Sequence, residues 1–137
     1  MFRSVLTATL LATLASLSLP AQNVKLQANI PFDFHIGGSV LPAGEYTISH
    51  SRGILLLRGE FERSKSAGVI VYNTSDPSGP AIDKLVFKRY GDDYFLATVW
   101  QVSAGGGLVV PPTKREKEIA ASFARAPQAA VLALRRK

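Results

Sequence analysis

The chain of 137 residues contains no cysteine. Disulfides are therefore excluded, as is a lipid anchor carried on a thiol, and the fold must rest on its core alone. Histidine is scarce, with only His35 and His50, and Trp100 is the single tryptophan. No Gly-x-Ser-x-Gly elbow occurs, so no motif announces a serine nucleophile. No unbroken apolar run approaches the ~20 residues that a membrane-crossing helix needs.

What is present begins with Met1–Ala21. Arg3 gives a positive start, Val5–Ala15 carries no charge, and Ser16-Leu17-Ser18-Leu19-Pro20-Ala21 ends in small residues after a helix breaker. That order is the order of a secretory signal peptide. Cleavage is expected after Ala21, or after Ser18, where Ser16 and Ser18 suit the small-residue rule. An uncleaved anchor is the competing reading. The expectation is an exported protein, periplasmic or extracellular. Export without cysteine points to a bacterial source.

Removal of Met1–Ala21 leaves 116 residues, the size of one domain. Between Gln22 and Val110, eight basic residues balance eight acidic ones. From Pro111 onward seven basic residues face only Glu116 and Glu118, so the mature excess of positive charge lies at the C-terminal end. The neutral body gives no reason to expect nucleic acid as a partner. The basic tail reads as a solvated end, or as a contact with another envelope component or an anionic surface.

The body, 22–110, reads as strands. β-Branched and aromatic runs at Val24–Ile30, Phe32–Ile36, Tyr46–His50, Ile54–Arg58, Ala67–Tyr72, Lys84–Tyr90 and Tyr94–Gln101 are separated by Gly, Pro, Asn and Asp. Asn73–Pro80 reads as a polar loop. Lys84–Tyr90 and Tyr94–Gln101 flank Gly91-Asp92-Asp93 as a hairpin whose arms have no purely polar side, which places it at the centre of two covered faces. The fold class is all-β: an antiparallel sandwich or partly open barrel with one C-terminal α-helix. That helix, within 111–125, starts after Pro111-Pro112 at Thr113-Lys114-Arg115-Glu116, a capping-box spacing, and aligns Ile119 with Phe123. Pro127 ends it. Gln128–Lys137 is expected to form at most a marginal second helix and to fray, leaving 126–137 as a basic tail whose removal barely changes stability.

Chemistry-bearing constellations are sparse. Asp33 and His35 lie two apart, so a strand would put both on one face, compatible with a metal site or a hydrolytic acid–base pair; the polar outer face of an edge strand is the simpler reading. Gly105-Gly106-Gly107 lacks the Lys-Ser/Thr of a phosphate loop. Asp92-Asp93 offers too few oxygens for calcium and suits a turn. Asn73-Thr74-Ser75 matches a glycosylation acceptor, of little meaning in a bacterial protein. Ala129–Lys137 runs apolar then basic, too briefly for a membrane-anchored sorting signal. Tyr90, Tyr94 and Trp100 concentrate aromatic surface in the hairpin and are the candidate ligand surface, core packing being the competing role. No cofactor is called for. The preferred reading is an exported, non-catalytic binding or structural module of the envelope, with a metal-binding or hydrolytic protein using Asp33 and His35 as the alternative.

Three stretches, Ile30-Pro31-Phe32-Asp33-Phe34 leading to Leu41-Pro42-Ala43-Gly44-Glu45-Tyr46, Leu85–Asp92 leading to Tyr94-Phe95-Leu96 and Val99-Trp100, and Lys114-Arg115-Glu116, together resemble a group of small exported uncharacterised bacterial proteins. The resemblance covers most of the mature chain up to Phe123. It implies a shared β-rich fold and export, and no activity.

Overall fold

The computed structural model describes residues 25–60, 66–75, 82–102, 106–123 and 125–136. The expected signal peptide, Met1–Ala21, lies outside the described residues. Among the described residues ten strands precede the helix: β1 (Leu26–Ile30), β2 (Phe34–Ile36), β3 (Ser39–Leu41), β4 (Gly44–Ser51), β5 (Ile54–Gly59), β6 (Ser66–Ile70), β7 (Tyr72–Thr74), β8 (Lys84–Tyr90), β9 (Asp93–Gln101) and β10 (Gly106–Val109). The helix α1 (Lys114–Ser122) follows, then β11 (Gln128–Ala133) and β12 (Arg135–Arg136).

The strands form two sheets that do not close into a barrel, so the fold is an all-β sandwich with one helix. One sheet has the order β12-β1-β4-β5-β6 and the other β11-β8-β9-β10-β7. The β2–β3 hairpin joins the second sheet through a single parallel pairing, His35 with Phe95. Strand alternation turns Leu26, Ala28, Ile30, Tyr46, Ile48, Leu55 and Leu57 of the first sheet inward against Leu85, Phe87, Leu96, Val99 and Leu108 of the second, and all are buried. The β4–β5 turn takes Arg52 and Gly53 at positive φ (54° and 77°), the geometry whose twist matches a two-residue hairpin.

The segment 31–34 supplies the aromatic centre of this core. Phe32 stacks on Tyr94 (3.7 Å between centroids) and meets Phe87 edge-on at 5.0 Å; Phe34 meets Tyr46 and Phe87 edge-on at 5.4 and 5.6 Å. Asp33, between the two rings, accepts a hydrogen bond from the Ala43 N–H at 2.9 Å, and the Tyr46 hydroxyl donates to the Pro42 carbonyl. The stretches 30–34 and 41–46, seven residues or more apart in sequence, are thus one interlocked unit.

Three local expectations are corrected. The run Ala67–Tyr72 is two strands: at Val71, whose N–H donates to the Gly53 carbonyl at 2.9 Å, the chain leaves the first sheet and enters the second. Asn73 and Thr74, expected in a loop, belong to β7, because the β10 backbone offers them partners at Leu108 and Gly107. The Gly91 turn has two loop residues, since Asp93 pairs with Tyr90.

The largest correction concerns the tail. Residues 128–136 are neither helical nor frayed. β11 pairs antiparallel with β8 over six positions, and β12 pairs with β1 across Leu26–Arg136 and Gln27–Arg135. Ten residues after Pro127 are too few for a stable helix, whereas the open edges of β8 and β1 satisfy their backbone groups. Ala130, Leu132 and Leu134 then pack against the core. Asp83 holds the crossing: its carbonyl accepts from the Leu134 N–H (2.9 Å), Oδ1 from the Val102 N–H (2.7 Å), and Oδ2 faces Arg136 Nε (3.4 Å). Arg135 approaches Glu45 at 3.8 Å. Two of the tail's basic residues are therefore paired with the body.

Helix α1 begins as expected, Thr113 Oγ1 accepting from the Glu116 N–H at 3.2 Å. The reciprocal bond from the Thr113 N–H to the Glu116 carboxylate is not made. Ile119 packs on Tyr90 and Phe95, and Glu116, one turn earlier on the same face, is carried into that contact with 6% of its surface exposed. Burial holds its carboxyl above the usual carboxylate range, against the opposing pull of Lys88. Because the folded state keeps this proton to higher pH than the unfolded chain does, stability falls as pH rises through the interval. Glu116→Gln should therefore gain on the wild type in thermal midpoint between about pH 4 and pH 7, the difference widening with pH. A constant difference, or one favouring the wild type at neutral pH, contradicts this reading.

Candidate functional site

The three aromatic residues singled out from sequence do not form one surface. Tyr90 is buried on the outer face of the second sheet, edge-on to Phe95 and Phe123 and beneath Ile119. Tyr94 faces the interior, stacked on Phe32. Trp100 is half-buried and packs against Gly107. Tyr90 and Tyr94 lie on opposite faces because Tyr94 pairs with Arg89, and Tyr94 is separated from Trp100 by an irregularity in the β8–β9 ladder: Val86 pairs with Thr98 but Phe87 with Leu96, so Ala97 is an extra residue in β9. A bulge of this kind reverses the alternation, which puts Tyr94, Leu96 and Val99 on the core side and leaves Trp100 on the other. Burial raises the hydroxyl pKa of Tyr90, with Glu116 adding to the effect, and that of Tyr46, with Asp33 adding to it.

Asp33 and His35 also have separate roles. Asp33 precedes β2 and holds the Ala43 N–H. His35 lies in β2, stacked on Phe95 at 4.2 Å between centroids, with Nε2 3.6 Å from Asp93 Oδ1. Among the described residues no three or more His, Asp or Glu side chains converge as a metal site.

A cavity opens where the chain changes sheets. It measures about 500 Å³ and is lined by His50 at the end of β4, Asn73, Thr74 and Ser75 around β7, Gln101 at the end of β9, and Gly106, Gly107 and Leu108 of β10. This volume lies within the usual range for small-ligand clefts. Among the described residues its polar lining carries no Asp, Glu, Lys or Arg: two primary amides, two hydroxyls and one imidazole supply donors and acceptors.

Glycine makes this wall possible. A Cβ on Gly106 would stand 2.5 Å from the Thr74 carbonyl oxygen, and one on Gly107 would stand 2.8 Å from the Trp100 ring. β10 can therefore lie close to β7 on one side while the indole rests on the Gly107 backbone. Sequence reasoning placed His50 in a strand, treated Asn73–Ser75 as a loop and found in Gly105–Gly107 only a run that lacks the ending of a phosphate loop. It missed the cleft because the crossover at Val71 brings His50, Asn73–Ser75 and the β9–β10 hairpin together from distant parts of the sequence. The sole local signal was the paired glycines beside a tryptophan.

Gly107→Ala should displace the indole, at a cost of about 1–3 kcal/mol. As Trp100 is the only tryptophan, its emission should shift to longer wavelength with the fold retained by circular dichroism. Unchanged emission contradicts the contact.

Compared with protein-family models, curated proteins and solved structures, the chain matches none.

Proposed function

We propose that this protein is an exported, non-catalytic binding module of the bacterial cell envelope, and that the cleft between His50, Asn73, Thr74, Ser75 and Gln101 takes a neutral, hydroxyl-rich ligand such as a short glycan. The observation that carries the reading is the lining itself. Amides and hydroxyls both donate and accept, as sugar hydroxyls do. A charged ligand would give up hydration here without meeting a countercharge among the described lining residues. The rigid frame supports the same reading, since the wall is built from paired strands of both sheets and its position is set by the packed core. Export rests on the Met1–Ala21 pattern, and the cysteine-free core suits an envelope where stability must come from packing.

Trp100 provides the readout, because it packs on Gly107 and Gly107 lines the cleft. Titration with neutral oligosaccharides, including chains of N-acetylated amino sugars, should change its emission saturably. The double variant Asn73→Ala/Gln101→Ala should weaken binding by roughly tenfold or more, as expected for the loss of two hydrogen-bonding side chains. Absence of binding, or equal binding by the variant, refutes the cleft as the site. Fractionated cells should yield the protein in the periplasm or medium with its N-terminus at Gln22 or Leu19; an intact Met1 in the cytoplasm refutes export.

A further inference from the structure

A second hollow lies on the far side of the β8–β9 hairpin turn and is independent of the cleft. It measures about 250 Å³ and is lined by Arg89, Gly91, Phe123, Arg125, Ala126 and Gln128. Two of these six residues are arginines and none is acidic.

Arg89 is held in place by two contacts. Its Nε donates to the Gly91 carbonyl at 2.6 Å, and its guanidinium carbon lies 5.3 Å from the centroid of the Tyr94 ring. Tyr94 is itself stacked on Phe32, so the cation rests on an aromatic column rooted in the core. Fixing Nε in this way leaves the terminal NH2 donors of Arg89 without an acceptor among the described residues. Gln128 is the direct cross-strand neighbour of Arg89, and Phe123 stands over Gly91, within 3.1 Å of where a Cβ would be.

Arg125 contributes the second guanidinium. It has no ion-pair partner among the described residues, whereas Arg135 and Arg136 of the same tail are paired with Glu45 and Asp83. A preorganised guanidinium and one without an ion-pair partner among the described residues line the same hollow, together with a carboxamide. Guanidinium groups present several N–H donors in a planar fork matched to oxyanions, and hydrogen bonds to a charged acceptor are the strong ones.

We propose that this hollow binds a phosphate-type oxyanion, presented by an anionic lipid headgroup or by a soluble phosphate-bearing molecule. The expected anionic contact of the tail is thereby narrowed to one place. Arg89 positions the anion from the rigid sheet, Arg125 closes on it from the segment after α1, and Gln128 supplies a neutral donor. The remaining tail arginines serve the fold.

Titration of the purified protein with inorganic phosphate at constant ionic strength tests this. Amide resonances of Gly91, Phe123 and Gln128 should shift saturably, and Arg125→Gln should weaken binding by roughly tenfold. Arg125 is exposed and makes no hydrogen bond or ion pair with the described residues, so its variant should fold as the wild type does. Lys117→Gln removes the same charge from the exposed face of α1 and should leave binding unchanged. No saturable shift, or equal weakening by the two variants, overturns the proposal, the latter because it shows a diffuse field in place of a site. Sedimentation with phosphatidylglycerol vesicles but not with phosphatidylcholine, lost in Arg125→Gln, assigns the anion to a lipid; phosphate binding without vesicle binding assigns it to a soluble ligand.

Discussion

The C-terminal segment is hydrogen-bonded to both sheets, and the closure of the sandwich depends on that double attachment. β11 completes the edge of the second sheet at β8, and two residues later β12 completes the edge of the first at β1. The joint is Asp83, which receives the Leu134 N–H on its backbone and Val102 and Arg136 on its carboxylate. An open strand edge is a row of unmet donors and acceptors and a template for unwanted pairing. In a protein without disulfides, a strand that covers two such edges at one end of the sandwich does the work that a covalent clasp would do.

The opposite requirement, a filled interior, is met by the unit built from 30–34 and 41–46. Two phenylalanines are driven into the core by a segment whose intervening aspartate is satisfied by the backbone of the second stretch. Together with Phe87 and Tyr94 they form a continuous aromatic centre. From this centre the structure extends to both candidate sites. Tyr94 supports Arg89 on one side, and the crossover at Val71 on the other brings β7 beside β10 to shape the uncharged cleft.

Much of this was legible in the sequence. Strand alternation, turn residues and the capping threonine identified an all-β fold, sandwich or partly open barrel, with one late helix; the sheets settle on the sandwich, and the β8–β9 hairpin is central as its two apolar faces required. Two features lay beyond local pattern. The tail reads locally as a weak helix, and only the free edges of β8 and β1 make it a strand. The extra residue at Ala97 is set by pairing with β8, so the face on which Trp100 emerges could not be read from alternation alone. The same limit hid the cleft, whose lining residues carry no signal until the sheets are assembled. Arg89 and Arg125, by contrast, were counted as charge, and only the assembled fold places them around one hollow with Phe123.

The attachment of residues 128–136 to both sheets is the central claim, and truncation after Arg125 tests it most directly. Loss of the contacts of Ala130, Leu132 and Leu134 with the core amounts to roughly 3 kcal/mol. The thermal midpoint of the truncated protein should therefore fall by about 10 °C or more, with a greater tendency to associate through the uncovered edges. A midpoint within about 2 °C of the full chain, in a protein that stays monomeric, would contradict the account.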